Sequence, residues 1–215
     1  SYGALFSGSQ NLTGHFGQFN NTAGLLSAGA DVHVAIAQEL NNAVGNISAG
    51  GGVLIEGEGT LTNAGGSINS SDSSLNLQGT FNNQNGFYIR EDADLVLNLG
   101  GLDNRGGYLF HSGTGVFELN ITGDFDNRGG QFGSDGSLFV AADNLFNDDG
   151  ILYGKDRLEL AIANSITNLR GDIYTQTLNV SAANINNDGG TLEAGQLTLA
   201  VSGNLSNRID SDNNA

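Results

Sequence analysis

Apolar residues along the chain pair up with one residue between them and then give way to polar or small clusters. Leu75/Leu77, Leu95/Leu97, Leu138/Val140, Leu158/Leu160, Leu178/Val180 and Leu197/Leu199 are such pairs. A period of two marks a strand with one face turned inward. Helical spacing at i, i+3, i+4 is not sustained. The pattern predicts many short strands and no helical repeat.

The strands recur at a fixed interval. Ten places read apolar, any residue, Asn, and end on Asn21, Asn42, Asn63, Asn83, Asn104, Asn127, Asn147, Asn168, Asn187 and Asn207. The steps are 21, 21, 20, 21, 23, 20, 21, 19 and 20 residues, about 20.7 on average. Three residues after the Asn comes Gly in nine of the ten cases. Two further on comes a large apolar residue: Leu26, Ile47, Ile68, Tyr88, Leu109, Phe132, Leu152, Ile173 or Leu192. Several columns held in register make this a solenoid repeat. A leucine-rich horseshoe has a similar period but one strand per repeat, whereas each unit here carries more than one strand signal. The reading is all-β: a right-handed parallel β-helix of about ten coils, roughly 21 residues each, forming one repeat domain over 1–215. Residues 1–18 read as an incomplete first coil and 208–215 as an irregular end.

Stacking at the ordinary strand separation places coils about 4.8 Å apart, so nine steps span about 43 Å. Like residues then lie above like. Apolar ladders form the core, at about 1.5–3 kcal/mol per fully buried large side chain. The column Asn21, Asn42, Asn63, Asn83, Asn104, Asn127, Asn147, Asn168 and Asn187 should line one corner. There each amide can bond turn backbone or the Asn of the next coil. The following Gly either supplies a positive φ or lets the turn pass close. The 23-residue step should appear as a bulge near 111–115 or 120–124.

Composition narrows the function. Glycine, at 34 of 215 residues, has no collagen period. Cys and Pro are absent. The first excludes disulfides and thiolate metal sites, and the second suits strands whose every N–H has a ladder partner. No apolar run is long enough to span a membrane. Seven basic against 23 acidic residues give a net charge of −16, which opposes nucleic-acid binding and docking on anionic lipid.

Segments such as Leu102-Asp103-Asn104-Arg105-Gly106-Gly107 and Ile185-Asn186-Asn187-Asp188-Gly189-Gly190-Thr191-Leu192 carry a resemblance. They look like the haemagglutinin repeats of filamentous haemagglutinins and of contact-dependent growth inhibition proteins, and the likeness runs from Phe19 to Asn207. It implies secretion by a two-partner system through an outer-membrane β-barrel transporter, and a filament on the bacterial cell surface. It implies adhesion to a receptor on a host cell or neighbouring bacterium, or presentation of a distal receptor-binding or toxin region. It implies no catalytic residue and no cofactor. The last unit departs from the pattern, with Asp210 in place of Gly and Asp212 in place of a core residue; the chain is expected to be part of a longer filament.

Chemistry-bearing residues are sparse. His15, His33 and His111 lie in different coils without ligand spacing. Glu91-Asp92-Asp94 and Asp148-Asp149 lack the oxygen spacing of a calcium loop. A polysaccharide-degrading enzyme on a β-helix is the alternative reading; it needs a cleft with facing carboxylates or a basic group. Arg105, Arg128 and Arg208 follow corner asparagines and suggest a thin basic line. The expected contact surface is elsewhere. Residues four and six after each corner Asn should point outward; in consecutive coils these are Phe87/Ile89 and Tyr108/Phe110. Ile151, Tyr153 and Tyr174 occupy equivalent places further along. Phe87, Ile89, Tyr108 and Phe110 are the candidate contact face.

Overall fold

The fold is taken from a computed structural model, which describes residues 5–70, 72–90 and 94–209. Among the described residues, twenty-one strands join in one sheet that winds around its own core, and every paired segment is parallel, as Leu25–Ala28 on Leu5–Gly8 illustrates. The chain is a parallel β-solenoid with three strand faces per turn.

Each face has a central inward ladder. On the first, Leu26 pairs with Ile47, followed coil by coil by Ile68, Tyr88, Leu109, Phe132, Leu152, Ile173 and Leu192. On the second, Val34 is followed by Ile55, Leu75, Leu97, Leu119, Val140, Leu160, Val180 and Leu199. On the third, Phe19 leads through Leu40, Leu61, Phe81, Leu102, Phe125, Leu145, Ile166 and Ile185 to Leu205. Those ten rungs are separated by nine turns of about 21 residues. Residues 5–20 already place a strand on each face.

The core closes only by stacking. Leu178 is fully buried, whereas Leu197, its partner in the next and last described coil, is 47% exposed. The difference is the neighbour on the open side, the nearest-neighbour economy of a solenoid. Aromatic rings thicken the middle of the rod, where Phe117 stacks on Phe132 at 5.3 Å and Phe132 meets Phe125 edge-on at 4.9 Å.

Two of the three corners are tight. Strands such as Ile151–Thr167 run through both with only a register shift. The third corner, between the third face and the next coil's first, is the asparagine turn. Against the 20-residue coil above it, the 23-residue coil has two extra residues between its first and second faces. Leu109 pairs with Phe132 and Phe117 with Leu138, so that turn is two residues longer than the one above it. It occupies Ser112 to Gly115. One further residue lies in the segment 120–124, since Ile121 and Phe125 pair with Leu99 and Leu102 of the coil before, and Asn120 and Phe125 with Ala141 and Leu145 of the coil after.

Candidate functional site

The asparagine corner is a continuous amide ladder. Asn21 Nδ2 donates to Asn42 Oδ1 at 2.7 Å. The same bond repeats from Asn42 to Asn63, Asn83, Asn104, Asn127, Asn147, Asn168 and Asn187, always at 2.7–2.8 Å. It continues from Asn187 to Asn207. Each amide also donates to carbonyls of its turn; for Asn104 these are Gly107 O at 3.4 Å and Gln131 O of the next coil at 3.1 Å. The Asn104 backbone N–H donates to Asp126 O at 2.7 Å. The side chains from Asn42 to Asn168 have no exposed surface. Buried polar groups are retained only where their partners are in place, and here the partner is the same residue one coil away.

The glycine after the ladder is there for space. A Cβ on Gly107 would lie 2.2 Å from Asn83 O and 2.6 Å from Asn104 Oδ1, too close for any side chain. Positive φ falls instead on the residue before it, in all nine turns from Ala23 to Gly189. Five of these residues are not glycine: Ala23, Val44, Asn85, Asp149 and Arg170. In the last two the strain accompanies a contact, since Arg170 Nε and Nη2 donate to the two Asp149 oxygens, both at 2.8 Å.

The residue before the ladder Asn has a different task. Asn20, Asn41, Asn82, Asp103, Asp126 and Asn186 each accept, through Oδ1, the backbone N–H two residues on. This is the Asx turn, and it explains the Asn-Asn and Asp-Asn doublets. Where Thr167 or Ser206 stands there, a carboxylate one coil back substitutes: Asp148 accepts from Leu169 N and Asp188 from Arg208 N.

These bonds dissolve the suggested basic line. Arg105 is clamped by Asp103, with Nε and Nη2 donating at 3.0 and 2.7 Å. Arg128 is held the same way by Asp126 and lies over the Phe146 ring. Burial pushes the Asp103 carboxyl up, but hydrogen bonds from Arg105 and Gln84 outweigh it and hold it below the usual carboxylate range. The Arg170 hydrogen bonds lower Asp149, and the Ser206 hydroxyl lowers Asp188.

The outward aromatics stand on the first face. Phe87 pairs with Tyr108 and Ile89 with Phe110. Phe87 is 54% and Ile89 40% exposed; Tyr108 and Phe110 are half-buried. Phe87 and Tyr108 rings are 6.3 Å apart, and Tyr108 stacks on Phe110 at 5.8 Å. The patch does not stop there. Gly133 is the next rung after Phe110, and Tyr153 and Tyr174 follow. A Cβ on Gly133 would lie 3.1 Å from the Phe110 ring and 3.2 Å from Tyr153 Cβ. The missing side chain lets the two sides meet. Tyr153 and Tyr174 rings are 4.9 Å apart. One outward stripe thus runs from Ile89 to Tyr174. The outward positions of the repeat include all its members, but their continuity depends on Phe110 leaning over a glycine.

Other candidates are engaged in structure. His111 is fully buried, 3.0 Å through Nδ1 from Ser134 Oγ. His15 and His33, in different coils, meet edge-on at 6.3 Å, and His33 bonds Glu56 at 2.7 Å. Asp94 Oδ1 accepts from Val116 N. Glu91, Asp92, Asp210 and Asp212 lie outside the described residues. Among the described residues no three His, Asp or Glu side chains are grouped to hold a metal ion, and no helix is long and apolar enough to cross a membrane.

A three-faced parallel solenoid with an internal asparagine ladder defines a class of repeat protein. Within it, the chain belongs to the haemagglutinin repeat family, whose model matches residues 6–106, 88–116, 112–170 and 174–208. It is also similar to a protein named Toxin CdiA from Yersinia pestis, 38% identical over 60 residues. That stretch covers 28% of this chain, and the match spans 2% of the relative's length. No solved structure matches the fold.

Proposed function

We propose that the chain is a rigid segment of a large two-partner secreted bacterial surface protein. In this reading an outer-membrane transporter exports it, and it holds a distal receptor-binding or toxin region away from the cell. The observation that carries the reading is the uninterrupted ladder from Asn21 to Asn207, with nine bonds of one geometry. Such a rod holds its ends at a fixed distance without a hinge. Family membership and the likeness to a protein named as a toxin supply the context. Folding after export suits a fold whose coils form by stacking on the last one.

The outward stripe gives the rod a contact function as well. We read Phe87, Ile89, Tyr108 and Phe110 as a face that meets a receptor on a target cell, since contiguous exposed apolar surface is uncommon on a solvated rod. The test is binding of the chain to target cells, wild type against Tyr108→Ser/Phe110→Ser, with the fold checked by circular dichroism. Loss of binding in a folded variant supports the contact face. Equal binding removes it and leaves a spacer.

A further inference from the structure

The two ends of the outward stripe differ in what surrounds them. Around Tyr153 and Tyr174 the neighbours are carboxylates. Glu193 is the next rung directly after Tyr174. Asp172 lies two residues before Tyr174 on the same exposed strand surface. Asp135 and Asp156 stand in successive turns beside Tyr153, and the Asp156 backbone N–H reaches Gly136 O. Their charges, after desolvation by burial, push the Tyr153 phenol up. The nearby Arg157 is committed elsewhere, bonded to Glu159 at 2.5 Å and lying over the Phe139 ring. Lys155 shares the turn and is exposed, one cation among four carboxylates. Tyr174 is 38% exposed.

Two rings 4.9 Å apart, bordered by carboxylates, are a chemistry for cations. The face of an aromatic ring attracts a guanidinium or ammonium group. The carboxylates add charge-assisted hydrogen bonds, and the net charge of −16 steers a basic partner toward the rod. We propose that Tyr153 and Tyr174, with Asp135, Asp156, Asp172 and Glu193, bind an arginine or lysine side chain of a basic, extended protein segment. Ile151 and Phe110, beside the pair on the stripe, receive the apolar residues that alternate with the cations. The proposal rests on the stripe being a contact face and names the chemistry of its partner.

The experiment uses the whole 215-residue chain. A fluorescein-labelled peptide alternating Arg and Val is titrated by anisotropy at low and at physiological salt. Its counterpart with Gln for Arg, and a neutral oligosaccharide followed by calorimetry, are run beside it. The arginine peptide is expected to bind and the other two to bind at least tenfold more weakly. Tyr153→Leu/Tyr174→Leu keeps apolar bulk and removes the rings; it should weaken the arginine peptide by about tenfold. Tyr153→Phe/Tyr174→Phe should keep the affinity. Asp172→Asn/Glu193→Gln should weaken it and flatten its salt dependence. Thermal melts of each variant guard against misfolding. Equal affinity for the Leu and Phe variants would overturn the proposal, because binding would then be diffuse attraction to an acidic rod. So would preference for the Gln peptide or the oligosaccharide. If the arginine peptide fails while Tyr108→Ser/Phe110→Ser still abolishes cell binding, the contact face stands and the cationic partner does not. If the peptide binds through the rings and cell binding ignores Tyr108 and Phe110, the reverse holds.

Discussion

The asparagine corner and the outward stripe occupy the same coils, and they are built on opposite principles. At the corner every coil repeats one residue and one bond. On the stripe the corresponding columns change from Ser67 and Asn69 to Phe87 and Ile89, then Tyr108 and Phe110, then Gln131 and Gly133. The corner is buried, so each amide depends on its neighbour and no coil can change alone. The stripe is exposed, so a substitution costs little and the surface is free to be shaped by what it meets. In a solenoid, repetition marks what the fold requires and departure from it marks what the fold leaves open.

The sharpest way to break the comparison is at the ladder. Asn127→Leu removes the acceptor of the Asn104 amide and strands the Asn147 oxygen in the middle of the rod. A loss of about 3 kcal/mol is expected, read as a lowered urea midpoint, because Asn147 Oδ1, Gly130 O and Ile151 O lose the buried amide that donates to them. An unchanged midpoint would show the ladder to be a decoration. Next comes Gly107→Ala, which forces a Cβ against the Asn83 carbonyl. A cost of about 2 kcal/mol is expected, whereas Gly129→Ala, where φ is +63° and nothing lies within 4 Å of an added Cβ, should cost about half as much. Reversal of that order would mean that φ, and not space, selects the glycine.

Val44→Gly should act in the other direction. Val44 holds φ at 48° and is 64% exposed, a conformation that disfavours a branched side chain. Relief of that strain, less the added freedom of the unfolded chain, should stabilise the rod by about 0.5 kcal/mol, measured as a rise in midpoint.

Acid should act more weakly still and at the corner's outer edge. Asp103, Asp149 and Asp188 are held below their ordinary values in the folded chain. The unfolded chain therefore binds more protons as pH falls through about 4. Their stabilisation is present above that point and is lost as pH drops toward the folded values. Asp103→Asn should flatten the acid limb of a plot of midpoint against pH; an identical limb would take Asp103 out of the linkage. The smallest effect belongs to the stripe. Tyr108→Ser/Phe110→Ser should change stability by no more than about 0.5 kcal/mol per site, since neither ring is part of the inward ladders. A large loss would make the stripe a packing device.

The sequence by itself determined the coil, the inward ladders and the asparagine corner. Each is written in the same register in coil after coil, and period-two strands leave little choice of which side faces in. Spacing states how long a coil is, not where its slack lies. The extra residues of the long coil therefore came to rest at Ser112 to Gly115 and in the segment 120–124 only in three dimensions, through the pairings of Leu109, Phe117 and Phe125. The tertiary structure also decided that positive φ precedes the glycine, because that depends on how closely Asn83 O passes Gly107. It turned Arg105 and Arg128 from a free basic line into partners of Asp103 and Asp126. It joined Phe110 to Tyr153 across Gly133, in which the missing side chain makes room for a ring from the coil before. Apart from the two arginine pairs, these are contacts between residues of different coils whose local register shifts by a residue or two. Only the folded chain states which shift occurs.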